Sequence, residues 1–569
     1  MHPDRYRARL ALLLAAGALP AAAAAQQHPL EHAPRPTSAA ITEADLMTRL
    51  YIFADDSMMG RQFGREGNFK GTAYIARELR RLGIEPAGEN GTYFQSLPLT
   101  LRRYTDRSTL AVNGRALRWI DDFIAVPGRA APRPLTAAQV IYGGVAGDSM
   151  QQITAEQAAG RIVVLTPNPQ GPTGGLQVGP RGAGTGASAR FPNAAAVVTV
   201  DLHTISRSAR VFINNPAAQR AAANAPAAEP APATLRVTPE AAAVLFGRSV
   251  DGLALGAIGA TVAARLDLEE RPVPEYGRNV IGLVRGSDPA LRGQYVVISA
   301  HNDHTGFTAS PVDHDSLYAF NHAALLRSFE GTERIRQLPP EERAQIHVNV
   351  DSLRRLRPLR RDSIRNGADD DGSGSMAVLE IAEAVAAMPV KPKRSIIFIW
   401  HTGEESGLLG AGYFVENPTV TRDSIVANIN LDMIGRGRAD DLPGGGPGYL
   451  AVIGANRLST DIGRAVEAVN SRQARPLRLD YRFDADVRAT LGGAYNNIYG
   501  RSDHARYANV GIPIVFFFTG LHADYHQVTD EPQYIDYPNY TAVTRYVNEL
   551  LLDIANAAHR PVVDGSRTD

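Results

Sequence analysis

No cysteine occurs in the 569 residues. Disulfides are therefore excluded, and a bound metal would have to rest on His and carboxylates. Net charge is missing too, since 59 Lys+Arg balance 59 Asp+Glu. No global field draws the chain to nucleic acid or an anionic membrane, and neither is expected as a partner. Beyond residue 25 no apolar run is long and charge-free enough to span a bilayer, so stable membrane insertion is not expected. The absence of any His-Glu-x-x-His excludes the single-zinc helical protease plan. The glycine-rich stretch 60–67 lacks both a Gly-Lys-Ser/Thr and a strand leading into it, which excludes a phosphate loop.

What is present points to an exported globular protein. The length exceeds what one core supports, so more than one domain is expected. A hydrophobic content of 44% with 21% charged residues fits a soluble fold. Arg5, Arg7 and Arg9 precede a short apolar segment at 10–19, then Pro20 and an alanine run to Ala25. That order predicts a signal peptide over 1–25, cleaved near Ala25, and a secreted or periplasmic location. Residues 26–40 are expected to be a disordered leader.

Three further regions follow. Residues 41–114 open the main domain, with helices predicted over 41–54 (Thr42 as N-cap) and 68–82 (Gly83 as C-cap), then a strand over 93–101. Residues 115–263 carry short β-like segments separated by Gly, Pro and Ala, including a low-complexity stretch at 214–234. They read as a β-rich insert. From 264 to 569 strands and helices alternate, which predicts an α/β fold with a mostly parallel sheet flanked by helices. A polar, partly helical insertion at 307–366 is either a solvated excursion or a flap over the site.

The chemistry sits at strand ends. The run 395–400 (Ser-Ile-Ile-Phe-Ile-Trp) reads as a strand buried on both faces, and it leads to Glu404-Glu405. Three other apolar runs end alike: 295–300 in His301-Asn302-Asp303, 425–431 in Asp432, and 514–518 ahead of Asp524-Tyr525-His526. A loop before the helix at 376–388 adds Asp369-Asp370-Asp371. Ligands of open α/β sheets bind beyond the carboxyl ends of the strands. So many acids in one partly dry crevice require compensating positive charge, and two imidazoles among carboxylates suit zinc. A pair of cations roughly 3.5–4 Å apart can share a carboxylate and clamp a hydrolytic transition state.

The motifs Ser-Ala-His-Asn-Asp-His, Asn-Gly-Ala-Asp-Asp-Asp-Gly-Ser-Gly, Gly-Glu-Glu-Ser-Gly-Leu-Leu-Gly, Asn-Leu-Asp-Met-Ile-Gly-Arg and Asp-Tyr-His-Gln resemble, in content and order, those of zinc-dependent exopeptidases with a co-catalytic metal pair. That family includes secreted bacterial aminopeptidases, glutamate carboxypeptidase and the transferrin receptor. The resemblance implies two Zn2+ per chain, with His301 and Asp432 on one, Glu405 and His526 on the other, and Asp370 bridging. It implies Glu404 as general base, Asp303 orienting His301, and Tyr525 donating a hydrogen bond to the developing oxyanion. It further implies that the β-rich insert is a protease-associated domain, and that peptides are the substrates. Asp369 and Asp371 read as loop and cap residues rather than ligands, and His304 as part of the surroundings of the site or the surface.

An aminopeptidase acting through a metal-activated water is the leading expectation. A carboxypeptidase or dipeptidase is the alternative, its cationic pocket drawn from arginines between 354 and 365. A non-catalytic receptor-like protein would lack ligands that this chain retains. The sequence assigns no oligomeric state.

Overall fold

The computed structural model describes residues 28–128, 132–167, 189–205, 207, 210–211, 219–220, 230–329, 338–483 and 498–565. The expected signal peptide at 1–25 and most of the low-complexity stretch 214–234 lie outside them.

The apolar runs assemble one large sheet. Its order is Glu85–Pro86, Arg278–Val284, Ser395–His401, Tyr295–His301, Ile425–Leu431, Ile514–Phe518, Tyr449–Ile453 and Arg478–Asp480. Every residue of Ser395–His401 and of Ile425–Leu431 is buried, as strands covered on both faces must be. The helices Glu43–Phe53, Gly374–Ala387 and Tyr537–Asn556 supply apolar residues to the cluster on one face. Leu409–Glu416 and His504–Asn509 do so on the other.

Four strands matter for the site: 395–401, 295–301, 425–431 and 514–518. They are consecutive neighbours and all parallel. The register sets His301 beside His401, Ser299 beside Asn430, and Leu431 beside Phe517. All four carboxyl ends therefore open on one edge. Polar side chains in this otherwise apolar layer hydrogen-bond one another. Asn428 donates to Ser299 Oγ (2.8 Å), Ser299 to Asn430 (2.7 Å), and Asn430 to Ser502 Oγ (2.9 Å).

Pro98 divides the strand expected over 93–101. Proline has no N–H to give a ladder. Phe94–Ser96 pairs with Arg278–Val284, whereas Leu99–Tyr104 pairs with Leu268–Pro272 in a separate three-stranded sheet. A further eight-stranded sheet spans Thr109–Val112 to Ile258–Arg265, so it starts ahead of the expected boundary at 115.

The stretch 28–40 has no regular secondary structure, but it is fastened rather than loose. Tyr51 donates to the Pro29 carbonyl, Thr37 to Glu383 at 2.6 Å, and the His28 ring meets the Tyr537 ring edge-on at 4.8 Å. Its anchor is Arg49, a buried guanidinium that pairs with Glu380 at 2.7 Å and with Glu383. Glu380 and Glu383 lie on the helix that leaves the Asp369–Asp371 loop. Breaking a buried pair strands the remaining charges. Arg49→Met should cost about 3–5 kcal/mol of stability, read as a lower midpoint in urea unfolding.

Candidate metal centre

The strand ends deliver their side chains to one hollow. His301 Nε2 lies 3.2 Å from Asp370 Oδ1, 3.6 Å from Asp432 Oδ1 and 4.0 Å from Glu404 Oε2. His526 Nε2 lies 3.1 Å from Asp370 Oδ2 and 3.0 Å from Glu405 Oε2. All five residues expected as metal ligands are thus brought together, with Glu404 beside them. Two groups emerge, His301/Asp370/Asp432 and His304/Asp370/Glu405/His526, each with its ligand atoms within 4.8 Å of one another. They share Asp370.

His304 is the member that sequence reasoning missed. Its Nδ1 is 2.9 Å from Glu405 Oε1 and 3.6 Å from Asp370 Oδ2, and its ring is buried. The signal was its place three residues after His301, beyond the strand end. The backbone there folds back: His304 N donates to the Arg61 carbonyl, and residue 304 bridges to Gln62.

Asp303 does something other than expected. The nearest acceptor to His301 Nδ1 is the Asp303 main-chain carbonyl at 3.0 Å, while its carboxylate stands 3.8 Å away. A carbonyl acceptor at Nδ1 places the proton there and leaves Nε2 free as a ligand. The carboxylate of Asp303 instead accepts from Glu404 N at 3.1 Å, which holds the Glu404-Glu405 segment in place. Gly403, at φ 67°, turns that segment off the strand end. The left-handed region favours glycine there.

The three adjacent aspartates divide their work. Asp370 faces both ligand groups. Asp371 accepts from His301 N (2.9 Å), Gly374 N (2.9 Å) and Met433 N (3.2 Å), so it ties two strand ends to a helix start. Asp369 accepts from Gly435 N at 2.7 Å and lies 3.2 Å from His522. Beneath them, Asp530 accepts from Asp369 N (2.9 Å) and Asp370 N (3.0 Å).

Charge is concentrated here. Burial pushes Glu404 well above the usual carboxylate range; His301 opposes this, and Glu405, Asp432 and Asp503 add to it. For His526, burial works downward, but Glu405 and Asp370 outweigh it and raise the imidazole to about 10. Carboxylates that pull protons onto neighbouring imidazoles are short of positive charge. Nε2 of His301 and His526, both ring nitrogens of His304 and Oε1 of Glu405 are buried with no hydrogen-bond partner. Unpaired ring nitrogens facing carboxylate oxygens at these separations fit divalent cations held by N and O donors.

Tyr525 stacks on His526 with ring centroids 3.9 Å apart at 24°. The insertion reaches the same loop. Tyr318 stacks on Tyr534 at 4.2 Å, and His322 lies 2.9 Å from Asp524, which Arg436 also contacts at 3.1 Å. The insertion is thus docked on the chain segment bearing His526, through a strand pair Gly306–Asp313/Arg361–Arg365 and the helix His314–Phe329. Its arginines are mostly engaged: Arg354 with Asp313, Arg357 with Asp315 at 2.9 Å, and Arg360 2.6 Å from His314. In a third grouping, His314/Asp362/Glu531, the Arg360 guanidinium contacts His314 at 2.6 Å and its charge acts on Asp362 and Glu531.

The sheet is mixed: its four central strands are parallel, while Arg278–Val284 and Tyr449–Ile453 flank them antiparallel. The two His-and-carboxylate groups that share one aspartate at its strand ends fit the zinc exopeptidase plan expected from the motifs. Residues 279–551 match the sequence profile of peptidase family M28. Leupeptin-inactivating enzyme 1 of Streptomyces exfoliatus is 33% identical over 175 residues, which are 30% of this chain and 33% of that protein. An aminopeptidase of Pseudomonas aeruginosa is 31% identical over 159 residues, 27% of this chain and 26% of that protein. The match therefore spans a third or less of these relatives' own lengths. Among solved structures, a zinc aminopeptidase from Bacillus subtilis aligns over 90% of this chain and 95% of its own, with TM-score 0.46 and 16% identity.

Asp371→Ala removes the acceptor for three backbone N–H groups at once. It should lower zinc affinity about 10–100-fold, as losses behind a ligand shell do. Competition with a chromophoric chelator reads this directly.

Proposed function

We propose that this chain is a secreted di-zinc aminopeptidase that removes N-terminal residues from peptides. The observation that carries the reading is the sharing of Asp370 by the two ligand groups, with Glu404 at their common border. His301 and Asp432 would hold one zinc, and Glu405, His526 and His304 the other, with Asp370 between them. When bound, such a pair supplies Lewis acidity and lowers the pKa of a coordinated water.

The chain's own residues do the rest. Glu404 takes the proton of the attacking water and delivers it to the leaving amine. Its carboxylate lies beside His301, and its backbone is held by Asp303, so it is placed for both transfers. Tyr525 offers its hydroxyl to the carbonyl oxygen as charge develops there. Burial raises Tyr525 further above its ordinary value, and Asp370 and Glu405 add to this, so the phenol keeps its proton. The segment 1–25 supports export, and the eight-stranded sheet is read as a protease-associated domain. The names of the relatives, an aminopeptidase and a leupeptin-inactivating enzyme, support peptide substrates. A carboxypeptidase reading would rest on Arg365, whose charge acts on Glu405, because Arg354, Arg357 and Arg360 are engaged within the insertion.

Elemental analysis of the purified protein should give about two zinc per chain, as a shared-carboxylate pair requires. The protein should hydrolyse peptides with a free amino terminus and spare their N-acetylated forms; the reverse preference overturns the aminopeptidase reading. Glu404→Ala should keep both metals and lower kcat by about 10²–10⁴-fold, the usual span for a lost acid–base group.

Docking of the insertion yields a separate expectation. Tyr318→Ala removes the ring stacked on Tyr534 and should cost about 3–5 kcal/mol if the site cannot collapse. Limited proteolysis should then cut first within 306–365.

A further inference from the structure

Tyr525 is held by more than its stack on His526. Arg501 Nη2 donates to Tyr525 Oη at 3.2 Å. Arg501 follows the turn Ile498–Gly500 and precedes Ser502, whose hydroxyl accepts from Asn430 in the strand that ends at Asp432. The backbone at 501 is thus anchored to the same sheet edge that presents the metal groups. The guanidinium itself is exposed at the rim, and its contact with the phenol crosses from one strand-end loop to another.

The direction of this hydrogen bond is not a matter of choice. A guanidinium has donors and no acceptor. In the contact the phenol oxygen can only accept, so the Tyr525 proton must point away from Arg501. Among the described residues no acceptor takes that proton. A phenol O–H lies near its ring plane and has two preferred orientations, and a cationic donor at 3.2 Å disfavours whichever points toward it. The ring is fixed over His526, which itself contacts Asp370 and Glu405. The remaining orientation is the one available to a substrate oxygen.

The competing acceptors show why such a device is useful. Asp370, Glu405 and Glu404 all act on the phenol through their charge. In the field of three carboxylates, an unrestrained hydroxyl is drawn to turn its proton toward them. A cation on the far side of the oxygen opposes that rotation and also polarises the O–H bond toward its proton end.

We propose that Arg501 is a positioning residue: its guanidinium occupies the acceptor side of the Tyr525 hydroxyl and so aims the proton at the carbonyl oxygen of the scissile bond. No proton is transferred in this role; the hydrogen bond strengthens as negative charge develops on that oxygen. The inference rests on the aminopeptidase reading for its substrate and on Arg501–Tyr525 geometry for its mechanism.

The test is a double-mutant cycle on the zinc-loaded, full-length protein with leucine p-nitroanilide. Arg501→Met should lower kcat about tenfold, a fraction of what a lost oxyanion donor costs, with KM changed less than about twofold. Arg501→Lys keeps a donor and should recover most of kcat. In the Tyr525→Phe background, Arg501→Met should change kcat less than about twofold, because the group it acts through is gone. An equal fall in both backgrounds, or a change confined to KM, overturns the proposal. The same cycle is read without turnover from the affinity for 1-aminoalkylboronic acid, a tetrahedral mimic. There, Arg501→Met should weaken binding only when Tyr525 is present, and equal weakening in both backgrounds sinks it. A wild-type protein that binds the boronate but cleaves no free-amine peptide would contradict the aminopeptidase reading while leaving the cycle to decide on Arg501.

Discussion

One carboxylate stands between two groups that each need a cation. Asp370 touches His301 through one oxygen and His526 through the other. Everything around it either brings further acids close or holds them there. Packing this many carboxylates at a strand edge is unfavourable unless positive charge compensates them. The fold meets part of that cost with backbone donors and part with the buried guanidinium of Arg61, whose charge acts on Asp530, Asp370, Asp371 and Asp303. Asp371, Asp369 and Asp530 each accept main-chain N–H groups, and these bonds knit the strand ends to one another. The residues that seem redundant in the Asp369–Asp371 run are the ones that let Asp370 be shared.

This arrangement couples the site to the core. The helix Gly374–Ala387 starts at Asp371 and runs back into the main apolar cluster, where Glu380 and Glu383 meet Arg49. A displacement at Asp370 is therefore resisted by the whole length of that helix. Holding ligand side chains on rigid elements, with backbone bonds behind them, keeps their donor atoms near the geometry that a cation demands.

Much of this was legible in the chain. The apolar runs at 295–300, 395–400, 425–431 and 514–518 carry their own length and period, and each ends in acids or His. Parallel pairing follows from strand–helix alternation, and convergence follows from parallel pairing. What stayed hidden depended on contacts far apart in sequence. His304 looked peripheral because nothing local shows that residues 60–62 fold over it. The carboxylate of Asp303 was expected at His301, but the shorter reach of its own carbonyl takes that place and frees the carboxylate for Glu404 N. Pro98 could have been read directly as a ladder break between two strands.

The insertion and the leader follow the same logic as the backbone donors. His526 sits at φ 58°, a left-handed backbone that is uncommon for a residue other than glycine. It is held from both sides: Tyr525 lies on its ring, and Asp524 is gripped by His322 from the insertion and by Arg436 from the sheet edge. A flap that opened freely would release one of those grips on each excursion. The docked stack of Tyr318 on Tyr534 argues instead that 306–365 acts as a buttress for the His526 loop. On the proposed reading, a peptide reaching Tyr525 would meet a hydroxyl already oriented by Arg501, and preorganisation of that kind is what makes an oxyanion donor effective.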